Sequence, residues 1–241
     1  MHEIHICPNE RRKMTNREFI LHITAKTAQE RIVKILTCVD RSYTLQVAKP
    51  KDNFPTSSGL TNIIIPAKNQ KNKIAVVAHH DVFPGSAGYN DNSTGVVTLL
   101  KMQSLVPDNV ELVFTDGEER GGQGCRYYLE NYPRPKQAIN LDVIGLGTRI
   151  FYERYGKTTF ALPANLKEYT NIPFSDSYTL DHYNVPNILL LTGSHPGSLI
   201  PDIFNAQHNG RDDGNIELIS EATMDSVLDV VIKILRAEAA R

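Results

Sequence analysis

Short apolar runs rich in β-branched residues alternate along the chain with longer segments whose apolar residues recur at helical spacing. Several of the runs are too uniformly apolar to expose one face to water, which indicates strands that are covered on both sides. We predict strands at YTLQVA (43–48), TNIIIPA (61–67), KIAVVAH (73–79), VELVFTD (110–116), QAINLDVIG (137–145), RIFYERY (149–155) and NILLLTG (187–193).

Helical patterns occupy both ends of the chain and two of the intervals between strands. Thr15 and Thr27 each precede a glutamate by three positions, the spacing of a capping box, which predicts helices near the start. Further helices are predicted near 93–105 and 122–131. The last helix is predicted from one apolar stripe, formed by Met224, Val227, Leu228, Val231 and Leu235. Strands that alternate with helices favour the α/β class, as a three-layer α/β/α sandwich.

Composition favours a single globular domain. Of the 241 residues, 41% are hydrophobic and 22% are charged, close to the averages of proteins with a full core. The sequence has no internal repeat, and its longest turn-rich stretch, 48–59, lies between two predicted strands. We therefore expect one domain over 1–241, with 1–40 as its mainly helical N-terminal part.

Charge and targeting signals narrow the classes of partner. A formal net charge of −1 provides no basic surface for nucleic acid or an anionic membrane, so we expect neither partner. The N-terminal stretch lacks the apolar segment of a signal peptide, which makes the cytoplasm the expected location. Cys7, Cys38 and Cys125 are too scattered for a disulfide framework, and Cys125 is expected to pack without a chemical role. The oligomeric state stays open.

Side chains that bind metals or transfer protons follow the ends of three predicted strands, and one more precedes the last helix. In open α/β sheets ligands bind beyond the carboxyl ends of the strands, so these side chains can converge. They are imidazoles and carboxylates without a thiolate, which suits zinc in a catalytic role. The set comprises His79, Asp81 and Asp91 after the third run, Glu118 and Glu119 after the fourth, Asp142 after the fifth, and His208.

The number of donors predicts two zinc ions, with other divalent metals as alternatives. One catalytic zinc takes three protein ligands, whereas five ligands with a shared carboxylate hold two ions. We assign His79 and Asp142 to one ion and Glu119 and His208 to the other, with Asp91 as the bridge.

Two carboxylates of the set are expected to act without binding metal. Glu118 neighbours a ligand and can take a proton from the attacking water, so we predict it as the general base. Asp81 lies two residues from His79, where it can accept the second ring N–H and fix the imidazole.

Alternatives exist for the histidines and the carboxylates. His80 competes with His79, because a slip of one residue reverses the face of a strand. His182 and His195 compete with His208 as the last ligand. Considered alone, Glu118 and Glu119 could be a charged pair before a helix, and Asp91 could be an ordinary turn residue. Only their combination favours a metal site.

Together the motifs resemble those of the co-catalytic dizinc aminopeptidase family, within the zinc exopeptidase clan and alongside the glutaminyl cyclases. They stand as HHD, NDNSTG, EE, NLD and QHNGRD, in order from about residue 60 to the C-terminus. The resemblance implies a mixed, mostly parallel central sheet of about eight strands flanked by helices. It also implies two zinc ions, a cis peptide bond between Asp91 and Asn92, and the removal of N-terminal residues from peptide substrates.

Two positions depart from the family pattern. Gln207 occupies the place before the last ligand where relatives often have an aromatic hydroxyl, and we expect its amide to contact the substrate oxyanion. A common Ser-Asp-His segment stands here as Ser175, Asp176 and Ser177, so contacts to the free amine of the substrate do not carry over.

The leading hypothesis is therefore a metal-dependent exopeptidase, an aminopeptidase acting on peptides. A glutaminyl cyclase or a deacylase on the same fold is the alternative among enzymes. Glutaminyl cyclases use a single zinc, so the presence of both His79 and Asp142 favours hydrolysis. A catalytically silent binding module is the alternative from another class.

Overall fold

A computed structural model of the protein describes residues 14–49, 59–170, 172, 174–194 and 214–241. Its central feature is an eight-stranded sheet. The strands are β1 (Thr44–Ala48), β2 (Leu60–Ile65), β3 (Ile74–His79), β4 (Val110–Thr115), β5 (Gln137–Leu141), β6 (Arg149–Tyr155), β7 (Lys167–Glu168) and β8 (Asn187–Gly193).

The four middle strands of this sheet run in the same direction. The strand order is β1-β2-β4-β3-β5-β8-β6-β7. β3 pairs in parallel with β4 and with β5, and β5 pairs in parallel with β8. Antiparallel pairs flank them, between β1 and β2, β2 and β4, and β6 and β8. This confirms the mixed, mostly parallel sheet, and it brings the carboxyl ends of β3, β4 and β5 to one edge.

Helices cover both faces of the sheet, as predicted. They are α1 (Asn16–Ile23), α2 (Ala28–Leu36), α3 (Thr94–Met102), α4 (Gln123–Asn131), α5 (Asp176–His182) and α6 (Glu221–Ala239). The side chain of Thr15 caps α1 in a complete capping box, and the hydroxyl of Thr27 accepts a hydrogen bond from the backbone of Glu30 at the start of α2.

Alternating strand residues divide the core into two layers. Ile63 and Ile65 of β2 face the cluster that includes buried residues of α1, α2, α3 and α6. Ile64 faces the opposite cluster, which includes Tyr128 of α4 and Leu180 of α5. Because successive strand residues point to opposite faces, apolar runs such as IAVVA are buried along their whole length. The three-layer sandwich is thereby confirmed.

Three elements differ from the sequence prediction. The helix α5 was not predicted, because Leu180 is the one buried apolar side chain of this seven-residue segment. β7 has two residues, too few for a periodic signal. The strand expected over 137–145 ends at Leu141, and Val143 adopts a φ of 48°, outside the extended region.

In the part of the chain described here, no helix is long and apolar enough to cross a membrane.

The first helix is tied to the chain that leads into the last one. The backbone N–H groups of Asn16 and Arg17 donate to the carboxylate of Glu221, at 2.7 and 2.9 Å. The guanidinium of Arg17 donates to the carbonyl of Ile219 at 2.9 Å and forms an ion pair of 2.7 Å with Glu217. The start of the described chain therefore holds 217–221 in place.

A buried ion pair joins α4 to the amino ends of β3 and β4. The ammonium of Lys73 lies 2.9 Å from Oε1 of Glu111, and both side chains are 3% exposed or less. The hydroxyl of Tyr128 on α4 donates to the same carboxylate. Burial raises the pKa of Glu111, against the hydrogen bond from Tyr128 and the charge of Lys73, which both lower it. This contact fixes α4, which follows the loop carrying Glu118.

Lys73→Met should lower the free energy of unfolding by about 3 kcal/mol or more, because it leaves the Glu111 carboxylate buried without its cation. Urea unfolding at neutral pH measures the change. The control is Lys68→Met, which removes the exposed 3.1 Å pair with Asp108 and should cost less than about 1 kcal/mol. Equal losses of unfolding free energy in the two variants would contradict the expectation that the buried pair contributes more to stability than the exposed one.

Candidate metal centre

The candidate centre forms where parallel strands end side by side. His79 is the last residue of β3 and pairs in register with Thr115, the last residue of β4. Asp142 directly follows β5. Glu118 and Glu119 lie on the loop after β4. The strand ends therefore deliver an imidazole and three carboxylates to one place, as the topology requires.

Three buried donors converge most closely. Nε2 of His79 lies 3.0 Å from Oδ1 of Asp91 and 3.5 Å from Oδ1 of Asp142. The ligand atoms of these three residues all lie within 4.8 Å of one another. All three residues are buried. A nitrogen and two carboxylate oxygens at such distances form a pocket of the size and chemistry that a divalent cation needs.

A second group shares the same imidazole. The ligand atoms of His79, Glu118 and Glu119 also lie within 4.8 Å of one another. Oδ1 and Oδ2 of Asp81 accept hydrogen bonds from the backbone N–H groups of Glu118 and Glu119, at 3.0 and 3.2 Å. Oδ1 of Asp81 also lies 3.4 Å from Nδ1 of His79. One carboxylate thus links the end of β3 to the loop that follows β4.

Two buried carboxylate oxygens of the centre fit a cation. Within the described residues, Oε1 of Glu119 has no hydrogen-bond partner, and Oδ1 of Asp142 has no partner besides the imidazole of His79, 3.5 Å away. A buried carboxylate oxygen without a donor is costly. Zinc would satisfy both atoms, so the residues present fit the metal that the sequence predicts.

The carboxylates raise one another's proton affinity. Burial raises the pKa of Glu118 well above its usual value, and the nearby charges of Asp142 and Asp176 add to this, while that of His79 opposes it. Burial and the charge of Asp91 raise the pKa of Glu119 to about 8. Burial also raises the pKa of Asp142, against its hydrogen bond with His79. In the metal-free protein the centre therefore holds protons that a cation would displace.

The pKa values of the imidazole of His79 and of its supporting carboxylate, Asp81, shift in opposite directions, that of His79 upward and that of Asp81 downward. Burial alone lowers the pKa of His79, but hydrogen bonds with Asp142, Asp81 and Asp91 outweigh it and raise the pKa well above its ordinary value. Burial raises the pKa of Asp81, but the hydrogen bond with His79 outweighs it and leaves the pKa lowered. Without metal, this pair is therefore an imidazolium beside a carboxylate.

Hydrogen bonds attach the segment with Asp91 to the exit of β5. Nδ2 of Asn92 donates to the carbonyl of Leu141 at 2.8 Å, and Oδ1 of Asn90 accepts from the N–H of Gly145 at 2.9 Å. The peptide bond between Asp91 and Asn92 is cis, which confirms the expectation from the resemblance. The polar residues of NDNSTG thus hold Asp91 beside Asp142.

Asp176 is a residue of the centre to which the sequence assigned no role. It begins α5, is 1% exposed, and Oδ2 accepts a hydrogen bond from Oγ1 of Thr115 at 2.5 Å. Burial raises the pKa of Asp176 to about 7, against that hydrogen bond and the charge of His79. A signal for this residue was present in the sequence. The segment that departs from the Ser-Asp-His pattern differs at its last position and keeps the aspartate, which is Asp176.

Two of the competing histidines, His80 and His182, do not join the donor groups of the centre. His80 points away from the centre, with Nε2 at 2.8 Å from the carbonyl of Thr61. His182 is exposed on the last turn of α5 and belongs to neither donor group. Gln207, His208 and His195 lie outside the described residues, so their assignments stay predictions. Cys125 is fully buried against α5, in keeping with packing, whereas Cys7 also lies outside the described residues.

A mixed sheet with histidine and carboxylate donors at the carboxyl ends of its parallel strands is an α/β architecture that could hold a metal ion. The model of peptidase family M28 matches residues 62–234, which is most of the sequence. The chain therefore belongs to peptidase family M28.

Solved structures with the same fold include aminopeptidases and cyclases. A zinc aminopeptidase from Bacillus subtilis is 23% identical with a TM-score of 0.61, over 76% of this chain and 50% of that one. A glutaminyl cyclase from Porphyromonas gingivalis is 17% identical with a TM-score of 0.70, over 98% of this chain and 99% of that one. A leucine aminopeptidase precursor from Bacteroides thetaiotaomicron is 18% identical with a TM-score of 0.66, over 92% and 95%.

These likenesses establish the fold. The chain spans about half the length of the Bacillus subtilis aminopeptidase and nearly the full length of the Porphyromonas gingivalis cyclase. The search of curated proteins finds no match.

Asp176 should make the stability of the metal-free protein, prepared with EDTA, depend on pH. Its pKa is about 7 in the folded chain and near 3.8 when unfolded, so its stabilising contribution is present at low pH. That contribution is lost progressively as the pH rises from about 4 to about 7, because the unfolded chain releases the proton in this range while the folded chain retains it. Asp176→Asn should flatten this part of the curve, measured by urea unfolding in EDTA between about pH 4 and pH 8. An unchanged slope in the variant would contradict the assignment.

Proposed function

We propose that the protein is a zinc-dependent exopeptidase that removes N-terminal residues from peptides. The observation that carries this proposal is the convergence of His79, Asp91 and Asp142, with Glu118 and Glu119 beside them. Membership of peptidase family M28 supports peptide substrates. Zinc is the metal named for the Bacillus subtilis aminopeptidase of similar fold.

The donor groups support two metal positions. His79 and Asp142 would hold one zinc ion, and Glu119 would hold the other together with His208, which lies outside the described residues. Asp91 would be shared between the two, since its carboxylate lies 3.0 Å from Nε2 of His79. Bound zinc supplies a Lewis acid that polarises the scissile carbonyl and makes water acidic.

Glu118 is the proton carrier of the proposed reaction. Its ligand atom lies within 4.8 Å of those of His79 and Glu119, and its backbone N–H is fixed by Asp81. Burial and neighbouring carboxylates raise its proton affinity, whereas bound cations would favour its ionised form. The carboxylate takes a proton from the attacking water and passes it to the leaving amine.

Asp81 and Gln207 complete the proposal. Asp81 orients the imidazole of His79 and, through two backbone hydrogen bonds, the loop of Glu118 and Glu119. It therefore acts as a positioning residue. The amide of Gln207 would donate to the substrate oxyanion, a role that rests on its place in the sequence alone.

Glutaminyl cyclase activity is the second candidate, favoured by one observation. The Porphyromonas gingivalis cyclase matches this chain along almost the whole length of both. Hydrolysis is preferred because His79 and Asp142 offer a second metal position, which a single-zinc cyclase does not need.

Glu118→Gln should retain zinc while losing about a hundredfold or more of kcat, because the amide cannot carry the proton. His79→Ala and Asp142→Asn should instead lower the zinc content. Metal analysis and hydrolysis of leucyl anilide, before and after chelation, measure both effects. The exposed Glu168→Gln is the matched control and should change neither. Full turnover in Glu118→Gln would refute its role as the base.

A substrate panel separates the proposed activities. Aminoacyl anilides, N-acyl amino acids and glutaminyl peptides test aminopeptidase, deacylase and cyclase activity in turn. We expect zinc-dependent release of aniline from free aminoacyl anilides, because two cations can polarise the carbonyl and activate water together. Cyclisation without hydrolysis would favour the cyclase, and no EDTA-sensitive reaction on any substrate would favour a silent binding module.

A further inference from the structure

Arg31 is a buried cation that the sequence patterns do not single out. It lies on α2 and is 3% exposed. It precedes residues 62–234, where the family model matches. A buried guanidinium is costly unless its N–H groups are satisfied, so its partners indicate what it does.

Its partners belong to the two segments that carry the metal donors. Nε of Arg31 donates to the carbonyl of His80 at 2.6 Å, and Nη2 donates to Oγ of Ser93 at 2.8 Å. His80 is the residue between His79 and Asp81. Ser93 follows Asp91 by two positions and donates in turn to the carbonyl of Gly88. One guanidinium therefore bridges the end of β3 to the segment of Asp91.

The helix that carries Arg31 provides a rigid base. Ile32 and Ile35 of α2 are at most 5% exposed and belong to the main core. The ammonium of Lys34 donates to the carbonyl of Thr24 and thereby closes the connection between α1 and α2. The planar guanidinium holds two acceptors at a fixed separation, which a flexible ammonium does not.

The bridged segments need such a link. The chain between them, 81–90, passes through Gly85 and Gly88, both with positive φ. Glycines leave a loop with more conformational freedom to lose when its ends are fixed. Zinc requires its nitrogen and oxygen ligands at about 2 Å, so any spread in the separation of His79 and Asp91 weakens binding.

We propose that Arg31 is a positioning residue that sets the separation of His79 and Asp91 and thereby the strength of zinc binding. This inference rests on the proposed zinc-dependent function. Loss of a group that orients metal ligands typically costs 10- to 100-fold in metal affinity. Arg31→Lys and Ser93→Ala should each weaken zinc binding by about tenfold or more.

The test measures zinc affinity directly, by competition with a chromophoric chelator, and the absorption spectrum of the Co²⁺-substituted protein. The matched control is Arg41→Lys. Arg41 also donates to two backbone carbonyls, those of Pro66 at 2.9 Å and Gln103 at 3.3 Å, but contacts no segment of the centre through them. Its replacement should leave zinc affinity and the Co²⁺ spectrum unchanged, whereas Arg31→Lys should alter both.

The double variant Arg31→Lys/Ser93→Ala distinguishes one bridge from two independent effects. If the bridge acts as a unit, the double variant should lose no more zinc affinity than the weaker-binding single variant. Should Arg31→Lys fail to fold, Ser93→Ala against Arg41→Lys still decides the matter. Tight zinc binding by the unaltered protein with unchanged affinity in both single variants would overturn the role of Arg31. Absence of zinc binding by the unaltered protein would instead overturn the proposed function.

Discussion

Mutual repulsion of buried carboxylates is the constraint on which the rest of the structure depends. Parallel strands exit at one edge, and this chain places Asp91, Glu118, Glu119 and Asp142 there, around one imidazole. Like charges at these distances cannot all ionise in a dry site, so they hold protons or bind cations. The raised pKa values of Glu119 and Asp142 express this constraint. A fold that gathers such groups must hold them in place against their repulsion with hydrogen bonds from the surrounding chain.

Those hydrogen bonds come from residues that bind no metal in our proposal. Asn90 and Asn92 attach one donor segment to the exit of β5, and Asp81 attaches His79 to the loop of the two glutamates. Arg31 connects the end of β3 to the segment that carries Asp91. The segments that carry the donors are thus joined to one another by hydrogen bonds, which suits a site that must keep its geometry when protons leave and cations enter.

Sequence patterns predict the helices and strands whose apolar residues recur at a regular spacing. The uniformly apolar run before His79 predicted a strand covered on both faces, and the strand is buried throughout. Strand exits then located His79 and Asp142, because topology alone brings parallel carboxyl ends together. The patterns could not recover α5, in which Leu180 is the one buried apolar side chain, or the contributions of Asp176 and Arg31. Those two act through contacts across 61 and 62 positions of chain, and no local spacing encodes them.

The contact of α1 with the chain before α6 ties opposite ends of the sequence together. Asn16 and Arg17 hold Glu217, Ile219 and Glu221 through six hydrogen bonds from backbone and side-chain groups. The final helix enters its place in the core directly after this point. A deletion that reaches α1, or a bulky partner fused close to it, would therefore disturb the approach to the closing helix some 200 positions away. α1 is a poor place for a truncation point or a fusion junction.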